Sequence, residues 1–61
     1  MTITTFLKKC AVGVMVENIA TKVEGKVLKI SKDNDKALVL YADGSKAWTE
    51  YYLLEFEFPN E

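Results

Sequence analysis

Few side chains in this sequence are able to carry out chemistry. The one cysteine, Cys10, directly follows Lys8 and Lys9, and the chain contains no histidine. Neighbouring lysines favour a thiolate, but a nucleophilic cysteine also needs an adjacent base. A zinc site needs about four cysteine or histidine ligands, which this chain does not have. The sequence therefore favours Cys10 as a small packed side chain.

Two pairs of acidic residues are the remaining candidates for chemistry. Asp33 and Asp35 are spaced like the first ligands of a calcium loop, but the glycine and the distal glutamate of that pattern are missing. Glu55 and Glu57 share one face of an extended strand, where paired carboxylates can act as acid and base. An acidic, solvent-facing strand end accounts for them more simply. We predict no catalytic residue, no metal site and no cofactor, and we expect that the protein is not an enzyme.

Charge is distributed unevenly along the chain. All 8 basic residues are lysines between Lys8 and Lys46, and every charged side chain after Lys46 is a glutamate. Two interpretations remain open: an ordinary solvated surface with local ion pairs, or a molecule with one basic and one acidic face. The net charge of −1 implies no strong overall field.

The length of 61 residues allows one domain, which we assign to residues 1–61 with its core in 11–58. A domain of this size buries only ~60% of its unfolded surface. Because one cysteine cannot form an internal disulfide, stability has to come from a dense apolar core or from oligomerisation. The lone cysteine and the lack of a secretory signal predict a cytoplasmic location. No apolar run approaches the ~20 residues of a membrane span, so we expect no membrane segment.

Apolar patterning and turn signals predict five short strands. They span residues 11–17, 23–30, 37–42, 46–50 and 55–58. The second lacks clean alternation, which fits a twisted or bulged strand. Asp43 and Gly44 between two apolar runs predict a tight hairpin turn with positive φ. A tight turn is expected at 51–54, and Thr4 or Thr5 is predicted to cap a short helical turn ending at Lys9.

Several pieces of the chain, in this order, resemble the SH3-like barrels of the Tudor and KOW type. The residues that carry the likeness are the valine-rich stretch 11–16, Gly25, Lys26, Val27, Ile30, Val39, Tyr41, Asp43, Gly44, Trp48 and Leu53. The resemblance implies an all-β fold, a five-stranded SH3-like barrel made from a strongly bent antiparallel sheet. Such domains typically bind methylated or proline-rich peptides, other proteins or nucleic acid, and are rarely enzymes. Where methyl-reading members place aromatic residues, this chain has Val23 and Glu24.

The third predicted strand is apolar on both faces, although a barrel this small needs only one apolar face for its core. Leu38 and Leu40 form the second face, which is either covered by another segment or is a contact surface, because exposed apolar patches usually indicate partner sites. Tryptophan and tyrosine contribute strongly to interface energetics, although a place in the core would explain them equally well. The predicted protein-binding residues are Leu38, Leu40, Trp48, Tyr51 and Tyr52.

These observations lead to three functional hypotheses. The first is a small non-catalytic module that binds or regulates another protein; a phage- or plasmid-encoded modulator of a host complex is one concrete form. The second is a nucleic-acid-binding barrel, whose lysines contact phosphates while aromatic rings stack on bases. Its residues are Lys26, Lys29, Lys32, Lys36 and Lys46. The lack of arginine weighs against it. The third is a homo-oligomeric structural subunit.

Overall fold

Five antiparallel strands form a single sheet in the computed structural model, which describes residues 1–57. The elements are α1 (Ile3–Lys9), β1 (Met15–Asn18), β2 (Val23–Ser31), β3 (Lys36–Tyr41), β4 (Lys46–Glu50), a 3₁₀-helix (Tyr51–Leu53) and β5 (Leu54–Phe56). The strand order is β4-β3-β2-β1-β5, so the last strand returns beside the first. The predicted all-β fold class is confirmed: the sheet is antiparallel and consistent with an SH3-like arrangement. It is not closed, and β4 and β5 are its edges in the described part of the chain.

The cap of the N-terminal helix differs from its prediction. Thr2, and not Thr4 or Thr5, caps α1, because the Thr2 hydroxyl accepts a hydrogen bond from the backbone N–H of Thr5 at 3.2 Å. The helix still ends at Lys9, and it buries Phe6 completely. No helix among residues 1–57 is long and apolar enough to cross a membrane.

The first strand is shorter than predicted. It begins at Met15 and not at residue 11, because a turn at 12–13 precedes it and Gly13 adopts φ +99° there. The Gly13 N–H donates to the Val27 carbonyl at 2.8 Å, which fixes this turn against β2. Val12, which lies within the predicted strand, is in this turn and is exposed. Valine-rich composition therefore overstated the length of β1.

The Asp-Gly turn lies where the sequence predicted it, between β3 and β4. Gly44 adopts φ +92°, and the Tyr41 N–H donates to the Ser45 carbonyl at 2.8 Å to close the hairpin. The Asp43 Oδ1 accepts hydrogen bonds from the Ser45 hydroxyl and N–H at 2.7 and 2.9 Å, and these bonds lower the pKa of Asp43. This local network fixes the register of the two strands.

The predicted bulge lies in β2. The register with β3 shifts between Val27 and Lys29, so Leu28 is the extra residue. A bulge increases local twist and bends the strand. β2 is the longest strand and lies between β1 and β3 in the sheet. Beyond β4, the predicted turn at 51–54 is the 3₁₀-helix, and β5 starts at Leu54. Its predicted end at Phe58 lies outside the described residues.

The core occupies the inner face of the bent sheet. Its buried apolar members are Phe6, Cys10, Val16, Val27, Ala37, Val39, Tyr41 and Leu54. Phe6 and Cys10 come from the segment before the sheet, so α1 covers part of the inner face. The β3 residues of this cluster alternate along the strand, as expected for one face of an extended chain.

Gly25 lets β2 and β3 approach closely. A methyl group at this position would overlap Val39 Cγ1 and lie 2.9 Å from the Leu40 carbonyl oxygen. Backbone cannot move aside as a flexible side chain can. We therefore expect Gly25→Ala to lower the free energy of unfolding by ~2 kcal/mol through overpacking. Chemical denaturation measures this change. Lys26→Ala, at the neighbouring exposed position, is the control and is expected to change stability by less than ~0.5 kcal/mol. Equal effects of the two variants would contradict the prediction.

Candidate functional site

The candidate site is the outer face of the sheet, opposite the core. It comprises the β2, β3 and β4 residues whose side chains point away from the buried cluster. They are Lys26, Lys29, Lys36, Leu38, Leu40, Lys46, Trp48 and Glu50. Leu38 and Leu40 are half-buried, unlike their fully buried neighbours Ala37 and Val39 on the inner face. The second apolar face of β3 is thus partly open to solvent.

Trp48 is the largest apolar group on the outer face. It pairs with Leu38 across β3 and β4, and its side chain is 50% exposed. The Tyr41–Ser45 and Asp35–Tyr51 backbone hydrogen bonds set the alternation between β3 and β4. In this alternation Leu38 and Trp48 face each other without a hydrogen bond between their backbones. Side chains approach more closely in such pairs. The indole therefore lies beside the leucine and extends the apolar surface towards the edge of the sheet.

The two tyrosines of the predicted site are placed differently. Tyr51 packs against Phe6 with ring centroids 5.8 Å apart, so its ring belongs to the margin of the core. Tyr52 is 52% exposed and meets Tyr51 edge-on. A hydrogen bond to Glu50 raises the pKa of the Tyr52 hydroxyl. The sheet thus brings Leu38, Leu40 and Trp48 together, with Tyr52 near the end of β4 and Tyr51 turned towards the core.

Lysines surround the apolar strip formed by Leu38, Leu40 and Trp48. Lys26 and Lys29 lie on β2 opposite Leu40 and Leu38, and Lys46 lies on β4 opposite Leu40. Lys36 begins β3, and Lys32 lies exposed in the loop before it. A shallow depression of about 390 Å³ lies on the same side, lined by Ser31, Asn34, Lys36 and Trp48. The outer face therefore combines an exposed indole, two leucines and flanking cations.

Glutamates occupy the other end of the sheet. Glu17 on β1 pairs with Glu24 on β2 and with Glu55 on β5. Partial desolvation raises the pKa of Glu57, and the nearby Glu24 and Glu17 raise it further. Like charges on neighbouring strands repel each other. The strand lysines thus lie on β2, β3 and β4, whereas Glu17, Glu24 and Glu55 cluster where β1 meets β2 and β5.

A polar network lies on the inner side of the sheet. The Asn18 side-chain amide donates to the Tyr41 hydroxyl at 3.1 Å, and this hydroxyl shares a short hydrogen bond with the buried Thr49 Oγ1. The network joins β1, β3 and β4 across a groove of about 420 Å³ that also contacts Val23 and Leu53. Neither Asn18 nor Thr49 could be recognised from the sequence, because only the folded sheet brings these positions together.

The remaining sequence candidates for chemistry include Cys10 and Glu55. Cys10 is buried, and this burial raises the pKa of its thiol. The preceding lysines were expected to favour the thiolate, but burial has the larger effect on the pKa. Glu55 pairs with the Met1 amino group at 3.3 Å. Within residues 1–57, no group of three or more His, Cys, Asp or Glu side chains is placed to hold a metal ion.

The fold and the outer face define a small all-β domain with an open sheet and an exposed apolar strip. Comparison with known proteins adds no family to this description. The chain matches no protein-family model, and no curated protein matches it significantly.

The Tyr41 hydroxyl supports a specific prediction about the inner network. Tyr41→Phe would leave the Asn18 amide and the buried Thr49 hydroxyl without their shared partner, so we expect a loss of ~1–2 kcal/mol of unfolding free energy. Chemical denaturation measures it. Tyr52→Phe is the matched control, because it removes an exposed hydroxyl, and its effect should be within ~0.5 kcal/mol. A Tyr41→Phe variant as stable as the control would show that the network contributes little.

Proposed function

We propose that this chain is a non-catalytic module that binds another protein through the outer face of β2, β3 and β4. The observation that carries the proposal is the half-exposed Trp48 beside Leu38 and Leu40. Large aromatic side chains next to aliphatic ones are typical of the centres of protein interfaces. An apolar cluster left in water is costly, and a partner that covers it gains most of its binding free energy there.

The charges on the outer face support a particular kind of partner. Lys26, Lys29 and Lys46 surround the leucines and supply cations at the rim, where charges steer encounter and select among partners. A matching surface would present an apolar centre with carboxylates around it. We further propose that the protein acts in the cytoplasm, where the buried Cys10 would stay reduced.

Affinity capture with outer-face variants tests this proposal. The wild-type chain, tagged and nuclease-treated, is used to capture partners from a lysate of the source cell. The captured partner is then titrated against Trp48→Ala and Leu40→Ser. Both substitutions are expected to weaken binding by roughly tenfold or more, since central interface residues often contribute ~2 kcal/mol each.

Leu7→Ser provides the control for that titration. Leu7 is also an exposed leucine, but it lies on α1 and not on the outer face. It should leave the affinity unchanged. If Trp48→Ala and Leu40→Ser fold normally and bind as tightly as the wild type, the outer face is not the contact surface.

A second candidate function is binding to single-stranded nucleic acid. It is favoured by one observation: Lys26, Lys29, Lys36 and Lys46 share the outer face with the exposed ring of Trp48. Lysines can neutralise phosphates along a strand, and an indole can stack on a base. The exposed Lys32 extends the cationic surface beyond β2.

Salt dependence decides between the two candidates. If nucleic acid is the ligand, binding of a single-stranded oligonucleotide should quench Trp48 fluorescence. The logarithm of the association constant should fall linearly with the logarithm of salt concentration, with a slope of about −0.7 for each phosphate contacted. Lys29→Ala should reduce the slope by roughly one contact, whereas Lys9→Ala on α1 should not. Binding that is absent or insensitive to salt would remove this candidate.

A further inference from the structure

The free edge of β4 is the longest bare edge of the sheet among residues 1–57. Hydrogen bonds from Tyr41 N–H to Ser45 and from Tyr51 N–H to Asp35 fix which β4 residues bond to β3. Bonding alternates along an antiparallel strand. The backbone N–H and C=O groups of Ala47 and Thr49 therefore point towards β3. The backbone N–H and C=O groups of Lys46 and Trp48 point away from the sheet.

The other edge of the sheet is shorter and partly covered. β5 has only 3 residues, and the Leu54 carbonyl that points outward accepts a hydrogen bond from the Met1 nitrogen. No described residue bonds in this way to the outward backbone groups of Lys46 or Trp48. On its inner side β4 borders the open groove. Bare edges of this kind readily pair with another strand.

The side chains of β4 make this edge complementary to itself. If a second copy pairs its β4 antiparallel to the first, centred on Trp48, each Lys46 lies opposite the other copy's Glu50. The two Trp48 residues lie opposite each other, and Ala47 faces Thr49 on the inner side. All of these pairs follow from the alternation along β4. Opposite charges and paired aromatic rings are both favourable across neighbouring strands.

Shifting this pairing by one step in either direction would lose the complementarity. A centre at Ala47 would place Lys46 opposite Trp48, and a centre at Thr49 would place Trp48 opposite Glu50. Glu50 would then lie opposite Gly44 in the first register, and Lys46 opposite Tyr52 in the second, so in both registers neither charged residue of β4 has an opposite charge across from it. The centred register is therefore the one that satisfies both charges and the outward backbone groups together.

We propose that the chain forms a symmetric dimer through β4, in which two sheets join into one continuous sheet. This inference goes beyond the proposed function, because it depends on the strand edge and not on the leucines of the outer face. The opposite charges of Lys46 and Glu50 at the two ends of β4 favour a second copy as the occupant. The Lys46–Glu50 contact would form twice in each dimer because of the two-fold symmetry.

A charge exchange between Lys46 and Glu50 tests the dimer and its register. Lys46→Glu and Glu50→Lys each place like charges opposite one another, so each variant should dimerise roughly tenfold or more weakly than the wild type in sedimentation equilibrium. Mixing the two variants restores opposite charges at both contacts. Native mass spectrometry of the mixture should therefore show the heterodimer in excess of either homodimer. Lys9→Glu on α1 is the control and should dimerise like the wild type.

Amide hydrogen exchange of the wild type gives an independent readout that needs no variant. The outward Trp48 N–H should exchange several-fold more slowly at high protein concentration than at low concentration. The Thr49 N–H faces β3 and should show no such dependence. A chain that sediments as a monomer up to millimolar concentration overturns the proposal. It is also overturned if the mixed variants show no excess of heterodimer, or if Trp48 exchange is independent of concentration.

Discussion

The close approach of β2 and β3 at Gly25 is the constraint on which the rest of this fold depends. The glycine leaves space for the Val39 side chain and one edge of the Tyr41 ring, so β3 lies directly against β2 at this point. From there the Tyr41 hydroxyl reaches Asn18 on β1 and Thr49 on β4. Thr49 lies on the neighbouring strand β4, but Asn18 lies on β1, which β2 separates from β3, and a flat sheet would hold β1 and β3 about two strand spacings apart. The bend of the sheet and the polar network therefore support each other.

Alternation along β3 explains why the outer face carries an apolar strip. A domain of this size has room for one small core, and the inner residues of β3 are all buried in it. Leu38 and Leu40 on the opposite face are only half-buried. Because a strand alternates its side chains, the same six residues that complete the core also present these leucines outward. The apolar surface thus follows from the alternation that builds the core, and it is the feature on which the proposed protein-binding role depends.

Local chemistry could be predicted from the sequence, and contacts between distant positions could not. The Asp43-Gly44 turn, the bulge near Leu28 and the bounds of β4 depend on neighbouring residues, so short patterns were enough to find them. The first strand was predicted too long because valine content says nothing about where Gly13 turns the chain. The Asn18–Tyr41–Thr49 network joins positions 23 and 8 residues apart, and only the register of the sheet brings them together. Likewise, the sequence grouped Tyr51 with Trp48, whereas the 3₁₀-helix turns Tyr51 towards Phe6.

The outer face and the β4 edge share Trp48, so partner binding and self-association would be linked. Side chains stand roughly perpendicular to a sheet, and pairing at the edge would leave the outer surface of each indole accessible. A dimer would then place two outer faces side by side, with the lysines of both copies around one longer apolar strip. A partner long enough to contact both faces would bind the dimer more tightly than the monomer, because its second contact would be intramolecular. By thermodynamic reciprocity, that partner would strengthen dimerisation by the same factor. A partner that needs the edge of the indole would instead compete with the second copy. The sign of this linkage therefore depends on which side of Trp48 the partner contacts.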